Sequence, residues 1–188
     1  MTDELSGLRA EVAALRRAVA RLEAREEAVA VLNRYLYALD LDRADEVVAC
    51  FAPDAVLHVL NFPPGSQKDL HLHGHDEIRP LYDRHAGDEV PAIRGGHHAA
   101  NRGVDVSADA TSAEISAYFM TSVGGQGSVQ GGQYQVRVER HEQGWRIAEM
   151  NIISGWGWSV AEPRRITAPV AADRAWRDGR PAVYHATS

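Results

Sequence analysis

Cysteine and lysine are nearly missing from this chain. Cys50 is the only cysteine, so a disulfide within the chain is excluded. Its apolar setting, VVACFAPDAV, marks an inert buried thiol. Lys68 is the only lysine in a set of 20 basic residues; the arginine bias reads as genome composition rather than as a phosphate site. Acidic residues number 26 and the formal net charge is −6, which argues against a general nucleic-acid binder. No apolar run approaches the length of a membrane span, and the acidic N-terminus lacks a secretory pattern. These absences lead us to expect a cytoplasmic protein with neither nucleic-acid nor membrane partners. The 188 residues, 45% of them hydrophobic and 24% charged, suit one domain with a real core and an appendage.

The appendage is legible first. Leu5, Leu8, Val12, Leu15, Val19 and Leu22 are spaced 3, 4, 3, 4, 3, a heptad seam with only alanine as apolar company on the other faces. With Leu5 at position a, Glu11 falls at g and Arg16 at the following e, so parallel pairing brings opposite charges together. Three heptads are marginal alone. The helix is therefore expected either to self-associate, as a dimer or trimer, or to dock on its own domain.

Beyond the seam, Val29, Leu32, Leu36 and Leu39 mark a second apolar stripe. A short helix is expected from Arg43 to Phe51, ended by Pro53. Ala55–Leu60 alternates like a strand, residues 61–67 form a Pro/Gly loop, Asp69–Gly74 reads as a short strand, and His75–Arg84 as a helix. Four longer strands follow in series: His97–Val106, Ser112–Val123, Val129–His141 and Gly144–Trp156, joined by SADAT, GGQGS and HEQG. Residues 1–25 thus form a heptad helix, 26–160 a domain, and 161–188 an arm rich in Pro, Arg and Ala. Helices first and an antiparallel meander last make an α+β fold, with helices on one face of a curved antiparallel sheet. Such a cone encloses one apolar pocket.

Four blocks carry a resemblance. They are VLNRYLYALDLDRADEVVACFAPDAVLHV, HGHDEIRPLY, GGHHAANRGVDVSADATSAEISAYFM and GGQYQVRVERHEQGWRIAEMNI. Together they resemble the SnoaL-like branch of the NTF2-like superfamily, over about Glu26 to Trp158. Within it the chain looks similar to the scytalone dehydratase and bile-acid 7α-dehydratase type. That resemblance implies a catalytic Asp at the end of the first long helix, here Asp40, and a His opening a central strand, here His97. It also implies a Tyr five residues before the Asp, here Tyr35, and a pocket-facing polar residue on the third strand of the meander, here Tyr134. The sequence departs from the pattern in three places. SAYFMTSVGG has no second histidine, Val59 stands where a first-strand Tyr is usual, and a second Asp has no clear counterpart.

The residue types fit proton transfer. Imidazole with a reference pKa of roughly 6.5 is a useful base at neutral pH. A carboxylate accepting from one ring nitrogen fixes the tautomer and makes the other more basic. Such a dyad could take a proton next to a carbonyl and return it to a departing hydroxyl. Tyr35 could stabilise the enolate as it forms, or simply pack in the core. Asn101 shares the parity of His97 and could line the pocket or bond a strand edge. Tyr134 is inward by its parity with Val136 and Val138; Tyr118 is a weaker candidate of the same kind. His98 should face away, and Tyr37 lies on another helix face. Trp145, Trp156 and Trp158 read as packing, with Trp156 and Trp158 also able to wall a pocket for an aromatic or polycyclic ligand. The run HLHGH places His71, His73 and His75 on one side of an extended chain, more simply a solvated turn than a metal site.

The expected activity is that of a cofactor-free, metal-free lyase, dehydratase-like, acting on an apolar cyclic carbonyl compound. An isomerase or polyketide-type cyclase with the same dyad, or a non-catalytic binder, remain the alternatives.

Overall fold

The computed structural model of the chain describes residues 2–62, 69–83, 96–123, 128–159 and 166–167. Helix α1 runs unbroken from Thr2 to Asp40, about 58 Å at 1.5 Å per residue. Its two apolar stripes have different fates. Ala24, Ala28, Val31, Leu32 and Tyr35 are buried in the core, whereas the heptad residues Leu8, Leu15 and Leu22 are 57%, 60% and 63% exposed. The end of α1 is sharply defined. Asp42 takes a left-handed φ of 57°, its N–H bonds to Leu39 O, and the Arg43 N–H reaches back to Ala38 O at 3.0 Å. This closing pattern satisfies the last carbonyls and leaves Asp40 as the final helical residue.

Helix α2, Ala44–Val48, is shorter than expected, because Phe51 already opens strand β1, Phe51–Leu60. Pro53 lies inside β1, not at the end of a helix. The pairing of β1 is irregular between Phe51 and Val56, so the missing proline N–H interrupts no ladder. Strand β2, Leu70–His73, leads into helix α3, Gly74–Tyr82. Gly74 has φ +67° and a Cβ there would lie 3.1 Å from Pro53 O; only glycine turns this corner without strain.

The meander strands are β3 (His97–Val106), β4 (Ser112–Val123), β5 (Ser128–His141) and β6 (Gly144–Ser159). They pair antiparallel in sequence, and the sheet order is β2-β1-β6-β5-β4-β3. The sheet is mixed rather than wholly antiparallel, because β1 runs parallel to β6. A parallel neighbour needs a long crossover, and the segment containing β2, α3 and the meander supplies it. The two-residue strand β7, Ile166–Thr167, pairs with Trp156 and Gly157. The remainder of the expected 161–188 arm lies outside the described residues. No helix among the described residues is long and apolar enough to cross a membrane.

One face of the sheet packs on α1. Its core residues include Leu57 from β1, Ile115 from β4, Val136 and Val138 from β5, and Ile147 and Met150 from β6. Irregular pairing at Gly131/Gly132 and at Arg137/Val138 bends the strands around the helix. Gly132 is obligatory at the first bend: an added Cβ would fall 1.9 Å from Ile153 O. At the far edge, Arg25 Nη1 donates to Val104 O at 3.1 Å, tying α1 to the open side of β3.

Candidate active site

The end of α1 and the start of β3 meet at one carboxylate. The His97 N–H donates to Asp40 Oδ1 at 3.0 Å and to Oδ2 at 3.1 Å. The His97 ring Nδ1 lies 2.6 Å from Oδ1. An ionised carboxylate only accepts, so Nδ1 carries the proton and Nε2 is the ring nitrogen left for exchange. The two side chains are 25% and 22% exposed, dry enough to strengthen the contact and open enough to reach a ligand. The closing turn of α1 is what aims Asp40 out of the helix end. The first residue of β3 is what brings an otherwise unpaired strand N–H to it.

Both groups line a cavity of about 280 Å³ between α1, α3 and the concave face of the sheet. Leu39, Val59, Phe62, Leu81, Phe119 and Ile152 supply apolar wall. Phe119 stacks on Tyr134 with ring centroids 4.5 Å apart. Tyr35 and Tyr134 also line the cavity. Burial pushes both phenols well above their usual range. The neighbouring Tyr82 adds to the rise at Tyr35, and Tyr35 and Asp40 add to it at Tyr134. Both therefore stay neutral hydroxyls at working pH. The Tyr35 hydroxyl lies 2.9 Å from that of Tyr82, and Tyr35 packs edge-on against Phe51 and Tyr82.

Sequence reasoning missed Tyr82, Thr121, Gln130 and Ser154, all of which line the cavity. Thr121 sits directly opposite His97 across β3–β4, and Gln130 opposite Thr121 across β4–β5. The three make a polar strip over three strands, with Thr121 only 4% exposed. A signal was available: Thr121 shares the parity of the buried Ile115, Ala117 and Phe119. It was masked because both parities of SAYFMTSV carry large side chains.

Three expected pocket residues lie elsewhere. Tyr118 is opposite Gln133, not Tyr134, so it projects from the other face of the sheet and is 55% exposed. Trp156 stands with it there, lining a small separate cavity of about 100 Å³. Pairing between β5 and β6 shifts beside Gly131, and that shift sets the face Trp156 occupies. Asn101 is exposed and left-handed, with φ 51°, in an irregularity between Ala100 and Gly103. An extra residue there reverses the parity that linked it to His97. His98 is exposed, as its parity required, and Tyr37 is 67% exposed. The histidines of HLHGH diverge: His71 Nδ1 meets His58 Nδ1 at 2.6 Å, while His75 Nε2 bonds Phe51 O. Trp145 is buried, as expected of packing; the Trp158 side chain lies outside the described residues.

Comparison with known proteins agrees with this architecture. A candidate scytalone dehydratase from Novosphingobium aromaticivorans superposes with a TM-score of 0.62 at 18% identity, covering 82% of this chain and 97% of that one. A hexachlorocyclohexane dehydrochlorinase, LinA-type3, from Novosphingobium barchaimii gives 0.60 at 16% identity, over 81% and 99% of the two chains. An NTF2-like protein with a cystatin-like fold from Novosphingobium aromaticivorans gives 0.55 at 20% identity, over 80% and 90%. None of the functionally curated proteins compared with the chain matches it significantly. The sequence profile of the SnoaL-like domain matches residues 20–151. With that match over most of the chain, the protein belongs to the SnoaL-like family.

Proposed function

We propose that the protein is a cofactor-free lyase that eliminates water β to a carbonyl on a small, apolar ring compound. The observation that carries this reading is the 2.6 Å contact between His97 Nδ1 and Asp40 Oδ1 in the wall of a mostly apolar cavity. His97 Nε2 removes the proton from the carbon next to the carbonyl. The C–H electron pair moves into the ring as an enolate. Its collapse forms the C=C bond and breaks the C–O bond, and the same nitrogen returns the proton to the departing hydroxyl. Asp40 holds the tautomer and offsets the charge on the ring as it becomes imidazolium. Tyr35, a neutral donor coupled to Tyr82, polarises the carbonyl oxygen as it gains charge. The cavity volume favours one or two fused rings over a larger polycycle.

One observation favours a second reading. The polar strip beyond His97 holds Thr121 and Gln130, neutral groups that add no second acid to help His97 protonate a leaving group. An isomerase or cyclase needs only the dyad and the tyrosines. Incubation with a panel of cyclic β-hydroxy ketones, followed by mass spectrometry, separates the readings. Elimination lowers the product mass by one water, and isomerisation leaves it unchanged. Ligands that bind without any conversion, with equal affinity in Asp40→Asn, would leave a binding protein as the description and end the catalytic one.

A further inference from the structure

We infer that two copies of this chain associate in parallel through the heptad seam Leu5–Leu22 of α1. The inference is independent of the catalytic reading. The six seam residues are 38–63% exposed, so the described residues leave them largely uncovered. Counted over two copies they offer on the order of 1,000 Å² of burial, the size at which specific interfaces begin. The occupant is argued from three features.

Charge is the first. In a parallel pair Glu11 at g faces Arg16 at e of the second copy, twice by symmetry. An antiparallel pair that aligns the same seam instead sets Arg9 beside Arg16 of the second copy. Core shape is the second. Val12 and Val19 fill two of the three a positions, with Leu5 in the third, and Leu8, Leu15 and Leu22 occupy d, a combination that favours two strands. Geometry is the third. At 3.6 residues per turn, the seam points nearly opposite to the stripe Ala24, Ala28, Val31, Leu32 and Tyr35 that enters the core. Two domains therefore hang on the outside of the paired helices and do not collide. Arg25, bonded to Val104 O, fixes the direction in which α1 leaves the domain.

The test uses the full chain and light scattering coupled to size exclusion. Wild type is expected at twice the mass of Leu8→Asp/Leu15→Asp, with circular dichroism confirming that the variant stays folded. Glu11→Arg and Arg16→Glu are each expected to halve the mass when alone and to restore the wild-type mass when mixed. Leu8→Cys is expected to oxidise to a disulfide-linked dimer, since identical d positions meet only in the parallel arrangement. Equal mass in wild type and every variant would overturn the inference, whether another face assembles the protein or the chain's own C-terminal segment covers the seam. Cross-linking of Leu8→Cys only when mixed with Val19→Cys would overturn the parallel arrangement.

Discussion

His97 holds Asp40 by two groups at once, its backbone N–H and its ring Nδ1. The first is a structural bond between the end of α1 and the edge of the sheet. The second sets which ring nitrogen faces chemistry. One carboxylate thus joins the fold to the site, and a change there reads out in both.

Asp40→Asn is expected to cut turnover on a competent substrate by about 10²- to 10⁴-fold. The amide can donate to Nδ1 and so turn the tautomer the wrong way. Stability should fall by only about 1–2 kcal/mol, because the amide oxygen still accepts from the His97 N–H. Urea denaturation gives the stability change, and ¹⁵N shifts of the His97 ring give the tautomer. Unchanged ring shifts in the variant would remove Asp40 as the partner that sets the tautomer.

Tyr35 and Tyr82 share one buried hydroxyl contact. Tyr82→Phe should cost about 1–3 kcal/mol, since it takes a hydrogen-bond partner from a wholly buried phenol. Tyr35→Phe/Tyr82→Phe should cost less than the sum of the two single changes, a coupling that a double-mutant cycle measures. Burial, then Tyr82, raises the folded value at Tyr35 above the ordinary 10.0. The unfolded chain therefore loses this proton first, and stability falls as pH rises from about 10 towards the folded value. Tyr35→Phe should remove part of that alkaline loss.

His58 gives the opposite dependence. Burial first, and then His71, lower its folded value below 6.5, with Glu149 opposing. Between the folded value and 6.5 the unfolded chain binds more protons, so stability falls as pH drops through that window and then levels off. The His58–His71 bond needs one bare Nδ1, so double protonation also breaks it. A His58→Gln variant should show a smaller loss between pH 7 and pH 5 in denaturant titrations. An identical loss in both proteins would place the acid sensitivity elsewhere.

Asn101→Gly should leave turnover intact and raise stability by about 0.5–1 kcal/mol. The exposed left-handed φ of 51° suits glycine better than asparagine. Tyr118→Ala should likewise spare turnover, because the side chain leaves the sheet on the face opposite the cavity. Loss of activity in either variant would return these residues to the site.

The sequence by itself determined the elements and most of their order. Period-2 alternation and glycine-rich turns placed β3 and β4 at their observed ends, because side-chain parity and turn chemistry are local properties. It also determined the two stripes of α1 and the pairing of Asp40 with His97, the latter through family resemblance rather than spacing. Tertiary structure decided the rest. Whether Tyr118 or Phe119 faces inward depends on register with β5, since both parities of β4 carry large residues. The fates of Asn101 and Trp156 turned on irregular pairings that shift parity by one, and no local pattern announces where a sheet must bend. Tyr82 reached Tyr35 across 47 positions because α3 folds over the open end of the cone. The parallel placement of β1 beside β6 is of the same kind: it is set by how the long crossover packs, not by the residues of either strand.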